Sequence, residues 1–517
     1  MAFTIRLSKD FFNAPVAVIV HRRNDVAVAV DTYTKKRIAD GTNHATVIES
    51  ALKHASSLGL EYAKVYLKGV FDIEDPIQYY SNVVVEGGVL KTYNGIYAFG
   101  NKKPKLDELR NFFLKGIKFV CADGVSGDRL LTNAAAVPGA PLPKIRNCGI
   151  IDCEFWDYTY GEIGWGILEE GKIPEDIYIV GNKLYRVNAG CGIDFIDLVG
   201  IRVKCNDNLI VNKVEAAQAM APAFLWDSEI KNNMIFYEPD IPSNLINLEP
   251  WKPWDGFTDY CFKNVVVEGN KCRNGDLTTG GGNYDKSLFN VKWVNNVVFE
   301  DEDIVAEAGM RPINEKDAKH VVVKGNTIIN GILLINSRYA TVEDVDVEGN
   351  TVIQAIPSPQ GGIFWAPFAL QAIEDSSLKR VRVHGNTFVK TANQGKALVF
   401  YWLKTGLVED IRFENNALVN PYNLEVYHEN VDWSQVYVDL LCKKTGVAVF
   451  SGDGTTTQFK VAHGLVKAPS KLLVTPLSAD AKDFSYATAD DTYIYFNFSA
   501  APPSGTDNVK LAWLAEV

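Results

Sequence analysis

VVVKGNTIING at residues 321–331 and VVVEGNKCRNG at residues 265–275 are nearly the same phrase, written twice in one chain. Weaker copies alternate apolar and polar residues over six positions and close near an asparagine: IYIVGN at Asn182, IRVKCN at Asn206, SEIKNN at Asn233, VDVEGN at Asn350, VRVHGN at Asn386 and IRFENN at Asn416. A degenerate copy, VVFEDE, fills 297–302. In VDVEGN, Val345 and Val347 share one face of an extended chain, and Asp346 and Glu348 the other. The same split recurs as Val381/Val383 against Arg382/His384 and Ile411/Phe413 against Arg412/Glu414. Period-two alternation marks a half-buried strand.

The asparagines stand 24 residues apart from 182 to 206, from 326 to 350 and, through the degenerate copy, from 302 to 326; the other steps are 27, 37, 32, 36 and 30. A base period lengthened only by insertions is that of a solenoid, because one short strand per repeat cannot bury its inner face alone. Each coil must stack on the next, with strands running parallel. The glycine before the asparagine supplies a positive φ at a corner. The asparagine amide faces its counterparts one coil above and below, where it can donate and accept along the stack. A leucine-rich repeat would need LxxLxL phrasing and a propeller blade a longer period.

These features resemble a right-handed parallel β-helix of the pectin-lyase-like class over about residues 60–440, an all-β fold. Residues 42–58, TNHATVIESALKHASSL, put Ala45, Val47, Ile48, Ala51, Leu52, Ala55 and Leu58 on one helical stripe, with Asn43 as N-cap and Thr46/Glu49 as a capping box one turn later. This helix is expected to cap the first coil, since an open coil end invites association. The leader up to SNVVVEGG is similar to the opening of pectin-lyase-like proteins of bacterial and archaeal viruses. Beyond Lys444, short alternating runs (TQFKV, KLLVT, YIYFNF, VKLAW) separated by GDG, HGL, ADD and PPSG predict a small antiparallel β-sandwich. It resembles the β-modules that end some virion-associated proteins, and the likeness to phage tailspikes implies a homotrimer. The expected division is a head and capping helix at 1–59, a β-helix at 60–444 and a sandwich at 445–517.

Composition narrows the function classes. The chain has 517 residues, 52 Lys+Arg against 63 Asp+Glu, and a formal charge of -11, so no overall positive field gathers nucleic acid or an anionic membrane. No apolar run is long enough to span a bilayer, so no membrane insertion is expected, and no basic, apolar and small-residue series reads as a signal peptide. Eight cysteines lie scattered without a CxxC pair or zinc spacing. Buried thiols are expected, with a local Cys261–Cys272 bridge as the alternative. No metal and no cofactor is implied.

The repeat breaks where chemistry is expected. NLEPWKPWDGFTDYCF carries Trp251, Trp254, Asp255 and Asp259; PSPQGGIFWAPF carries Phe364 and Trp365; EFWDYTYGEIGWGILEEGK carries Trp156, Tyr160, Glu162 and Trp165. Rings beside carboxylates and amides suit sugars, whose C–H faces stack while their hydroxyls need hydrogen bonds. The same rings also serve to staple their own loops or fill a subunit interface. A glycoside hydrolase needs two carboxylates about 5–9.5 Å apart, and stacked coils ~4.8 Å apart provide that spacing. The pool is Glu162, Asp194, Asp197, Asp227, Glu249 and Asp255; Asp194 and Asp197, three apart, share a face only if a corner lies between them. The NTD, DD, GHG and RIK strings of polygalacturonase-like enzymes are missing from the coils, and HExxH, GxSxG and GxxxxGK[ST] are absent. Three functions follow: a virion or cell-surface appendage that binds host or environmental glycans, a polysaccharide hydrolase or lyase of tailspike type, or a purely structural shaft. The lack of an export signal in a fold of extracellular type favours the virion.

Overall fold

The computed structural model describes residues 13–93, 98–101, 107–121, 131–135, 143–157, 171–186, 194–213, 218–238, 244–300, 309–356, 366–403, 407–422 and 425–517. Thirteen short strands, from Val70–Ile73 to Ala417–Val419, form one sheet in which every neighbour is parallel and one coil away. Between these strands the described parts of the coils carry further strands, of two kinds. One is the VVVEGN-type strand before the asparagine, such as Val266–Glu268. The other is a longer strand reached after the insertions, such as Asn244–Leu248, Asp276–Thr279 or Ile332–Arg338. The fold is a right-handed parallel β-helix, and its interior is filled by the alternate residues, including Val321, Val323, Val345, Val347 and Trp293.

The asparagines form a buried column. From Asn182 through Asn208, Asn233, Asn270, Asn296 and Asn326 to Asn350, each side-chain amide donates to the next Oδ1 at 2.8–3.1 Å. The backbone N–H of the same residue donates to that same oxygen. The amide's second hydrogen goes to a strand carbonyl, as Asn270 does to Ile230 O at 3.0 Å. The column corrects the sequence register at two coils. Asn208 stands in it, not Asn206, and the copy read at 297–302 is VKWVNN, closing at Asn296. The steps are therefore 26, 25, 37, 26, 30 and 24 residues. The cause is local: the corner residue before the column is Gly269, Gly325 or Gly349 in some coils, but Asp207 (φ 59), Asn232 (φ 55) or Asn295 (φ 54) in others. Aspartate and asparagine enter the left-handed region more readily than other side chains and replace glycine there.

A second corner, before the VVVEGN-type strand, also has positive φ in coil after coil: Asn82, Asn111, Asn147, Asp176, Arg202, Asp227, Asn264, Asn290, His320 and Asp344. Here the amides run along the surface, Asn264 Nδ2 donating to Asp227 Oδ1 at 2.7 Å and Asn290 Nδ2 to Asn264 Oδ1 at 2.8 Å. Arg202, unusual at such a backbone, is clamped by Asp176 at 2.7 and 2.9 Å.

At the N-terminal end an antiparallel hairpin, Val16–Arg23 with Val26–Asp31, continues into the first coil through parallel pairing of Val16–Arg23 with Ala63–Lys68. The helix His44–Ser56 buries Ala45, Val47, Ile48, Ala51, Leu52 and Ala55 against these strands, and Asn43 caps it, accepting from Thr46 N at 3.0 Å. Two details differ from expectation. Leu58 lies beyond the helix and is 37% exposed, and Thr46 lies inside it, its N–H donating to Asn43 while the Glu49 carboxylate accepts from Gln78 N.

The chain divides into two compact units, 1–379 with 387–407 and 417–431, and 380–386 with 408–416 and 432–517. Within the second, Val408–Glu414 and Val436–Val438 pair in parallel, and one more column step joins Asn386 to Asn416 at 2.8 Å. Two three-stranded antiparallel sheets follow, Lys443–Gly452/Gly505–Glu516/Lys471–Pro476 and Gln458–Ala462/Tyr493–Phe498/Phe484–Ala489. They enclose Ala448, Ile494, Phe496, Val509, Leu511 and Trp513. All seven described cysteines are free and buried, so Cys261 and Cys272 form no bridge; burial pushes the Cys261 thiol up to about 12. Among the described residues no helix is long and apolar enough to cross a membrane.

Candidate functional site

The insertion after Asn233 returns to the stack through the long strand Asn244–Leu248 and continues in hydrogen-bonded register, Glu249 N to Pro222 O and Trp251 N to Ala223 O. Strand alternation turns Ile246 and Leu248 into the coil, and positions 247, 249 and 251 outward. The neighbouring coil runs TTGGGN, with Thr278 opposite Asn247 and Arg311 opposite Thr278 one coil further. Gly282 is forced by backbone contact, and Gly281 and Gly282 both take positive φ. A Cβ on Gly281 would sit 2.5 Å from Glu249 Oε1, one on Gly282 would sit 2.0 Å from the Pro250 carbonyl, and one on Gly280 3.2 Å from Asn314 Nδ2. Three residues without side chains therefore make a step between Glu249 and Pro250 on one side and Asn314 on the other. The step is pinned by Gly282 N to Glu249 Oε1 at 3.3 Å, Lys252 N to Asn283 Oδ1 at 3.0 Å and Tyr284 N to Pro250 O at 3.2 Å.

Polar groups line this outward lane. Asn247 is 2% exposed, and its Oδ1 has no hydrogen-bond partner; the same holds for Asn336 Oδ1, whose Nδ2 donates to Asn314 Oδ1 at 2.9 Å. Asp276 lies 3.6 Å from the Arg311 guanidinium. Buried amide oxygens that lack partners are costly unless a ligand or water donates to them.

The loop's rings divide into two kinds. Trp254 is half-buried and packs edge-on to Phe257 at 5.0 Å, while Phe257 meets Phe224, Trp226 and Tyr284. Trp226 donates Nε1–H to Tyr260 O at 3.0 Å. These rings staple the insertion to the coil. Trp251 is 42% exposed, on a backbone held from both sides. A staple and an open platform thus occur three residues apart.

The other sequence candidates fare differently. Asp227 is a corner residue accepting from Asn264, and Asp255 stands at a loop tip with only Lys252 Nζ, at 3.9 Å. Asp194 and Asp197 lie on one strand, Asp194–Asn206, with no corner between them, and the side chain at 194 lies outside the described residues. Trp156 belongs to the thirteen-stranded sheet, stacked on Tyr185 at 4.7 Å with Lys118 over its ring, and takes no part in the Trp251 groove. Tyr160, Glu162, Trp165, Phe364 and Trp365 lie outside the described residues.

Asp317 was not among the candidates. Burial raises its carboxyl above the ordinary range and the charge of Asp285 adds to this, against a hydrogen bond from Thr341 N. Asp317 N donates to Asp285 O across neighbouring coils, and both carboxylates act on Tyr284, whose hydroxyl donates to Phe257 O of the insertion. Nothing in DAKHVVVK announces this, because the partner comes from the coil below. At Asp259 burial works to raise the carboxyl, but Lys263 at 2.9 Å outweighs it and holds the group below its usual range.

No protein-family model matches the chain, and no curated protein matches it in sequence. Among solved structures it is similar to the tailspike protein of Escherichia coli bacteriophage HK620. A double mutant in complex with a pentasaccharide aligns at TM-score 0.47 and 12% identity, and another double mutant at 0.46 and 11%. The tailspike protein with pentasaccharide aligns at 0.43 and 12%, each match covering 92% of this chain and 90% of the other.

Proposed function

We propose that the chain is a virion-associated or cell-surface appendage that binds host or environmental glycans in the groove at Glu249, Trp251 and the Gly280–Gly282 step, as a homotrimer. The observation that carries this is the glycine step itself: a side chain is excluded at Gly282 against the Pro250 backbone, between Glu249 and Asn314, on the segment that also carries the exposed Trp251 and Asn247 with an unmatched acceptor. A sugar ring needs such a surface, with an apolar face to stack on and convergent donors and acceptors for hydroxyls. Repeated weak sites on several chains add avidity.

Affinity electrophoresis in host capsule or cell-wall polysaccharide tests it, with Trp251→Ala and Trp254→Ala compared. Trp251→Ala is expected to weaken retention by about tenfold at an unchanged melting temperature. Trp254→Ala is expected to destabilise by about 2 kcal/mol, as loss of a partly buried ring does. Retention unchanged by Trp251→Ala refutes the groove, and a monomer by light scattering at all concentrations refutes the trimer. Asp317 favours a second reading, cleavage, since a carboxyl raised by burial beside a second carboxylate is the kind of pair that glycoside hydrolysis uses. New reducing ends that vanish in Asp317→Asn, with retention intact, would establish it.

A further inference from the structure

The outward face of the thirteen-stranded sheet lies apart from the groove, and its charge runs against that of the chain. From Val70–Ile73 to Val297–Phe299 its outward positions hold Lys91, Lys118, Lys183, Lys271 and Arg273 against Asp72 and Glu154, 5 − 2 = +3 on a chain of -11. Both acids are already taken, Asp72 by Arg22 at 2.9 Å and Glu154 by Lys118 at 3.0 Å. Lys91, Lys183 and Lys271 have no ion pair or hydrogen bond from their ammonium groups among the described residues. The sheet of VVVEGN-type strands behaves oppositely. There Lys64 and Lys115 share Glu86, Lys144 and Arg202 share Glu175, and Lys231 bridges Glu229 and Glu268. Charges on that sheet cancel coil by coil; on the thirteen-stranded sheet Glu154 likewise stands between Lys118 and Lys183, and the excess rests on Lys91, Lys271 and Arg273.

We propose that this face is a second carbohydrate site, separate from the groove, for a linear acidic polysaccharide lying along the coil stack. Parallel strands put equivalent positions ~4.8 Å apart. Lys118 and Lys183, two steps apart in one register column with Glu154 between them, thus stand ~10 Å apart. Cations spaced along a straight row match carboxylates or sulfates spaced along an extended polymer, and an exposed row attracts them through the field as well as by contact. The rings of this face decide between kinds of polyanion. Trp156 has Lys118 over its ring at 4.7 Å and is stacked on Tyr185 at 4.7 Å, and Arg273 lies over Phe299 at 5.8 Å. The faces of Trp156, so occupied, cannot stack on nucleobases, which single-strand binding requires. An acidic glycan needs only the cations and the ring edges. A second copy of the chain set alongside in parallel would bring basic row against basic row, which disfavours this stretch as a self-contact.

The test uses the full chain with polygalacturonate and heparin as acidic polymers, dextran as a neutral one and oligo(dT) as a polyanion with bases, by affinity electrophoresis or calorimetry at low and high NaCl. Retention of an acidic glycan that falls steeply with salt is expected. Lys183→Gln with Lys271→Gln should weaken it by about tenfold, and Lys183→Glu by more, with circular-dichroism melting unchanged because these side chains are exposed. The same loss is expected in a Trp251→Ala background, so failure of the groove leaves this site standing. Dextran retained equally, oligo(dT) bound more tightly than either acidic glycan, no retention of both acidic glycans, or lysine variants that change only the mass in light scattering would each overturn the proposal.

Discussion

Two columns of amides run along this molecule, and their bond lengths are alike: 2.8–3.1 Å between the asparagines inside the corner and 2.7–2.8 Å from Asp227 through Asn264 to Asn290 outside. Their surroundings are not. Asn182, Asn233, Asn270 and Asn296 are fully buried, whereas Asn264 is exposed. Inside, each amide satisfies backbone groups that water cannot reach; outside, water competes for every bond. The comparison teaches that distance alone does not rank these interactions. The inner column stabilises by satisfying buried groups, and the outer one exists because Asn and Asp tolerate the left-handed corner.

The sharpest attempt to break this comparison is Asn270→Ala. It strands Asn233 N and part of the Asn233 amide, which donate to Asn270 Oδ1 at 3.0 and 2.9 Å, and frees Ile230 O. A loss of about 4 kcal/mol is expected in denaturant unfolding, from several buried groups left unmatched at once.

Burial helps only when satisfaction is complete, and Lys390 is the converse case. Its side chain is buried in the coil, donating to Gln354 Oε1, while Gln354 Nε2 has no partner. Burial lowers the ammonium from the ordinary 10.5 to about 8. The unfolded chain then binds more protons than the folded one between about 8 and 10.5, so stability rises with pH through that window and is flat below it. Lys390→Met is expected to stabilise by about 3 kcal/mol below pH 8, the shift converted at about 1.4 kcal/mol per unit, and the gap should close by about pH 10.5. Unfolding curves of both proteins across that range check it; a gap independent of pH would reject burial of the charge as the cause.

Much of this was legible in the sequence. The alternation in VVVKGN and VDVEGN carried the strand, the solenoid and the stacked amide, because each depends on residues a few positions apart. What escaped depends on register between coils. Asp207–Asn208 and Asn295–Asn296 hid two column steps, since no glycine marked the corner. TTGGGN drew no notice, since its meaning lies in Glu249 and Asn314, one coil away on either side. Asp317 owes its raised carboxyl to burial among neighbouring coils and to Asp285, and Lys118, Glu154, Lys183 and Lys271 share a column only once the coils are stacked. In TFVK the period placed position 390 inside while its residue type argued outside, and the period won.

The smallest expected effect is at Asn264, and it separates the two roles that an amide can play at a corner. Asn264→Gly removes both hydrogen bonds of the outer column but keeps φ 57 accessible, so a change within about 0.5 kcal/mol is expected, as for exposed polar pairs. Asn264→Ala removes the same bonds and also places a Cβ in the left-handed region, adding about 1 kcal/mol. If glycine costs as much as alanine, the outer bonds matter and the backbone does not. If either costs as much as Asn270→Ala, burial is not what distinguishes the columns.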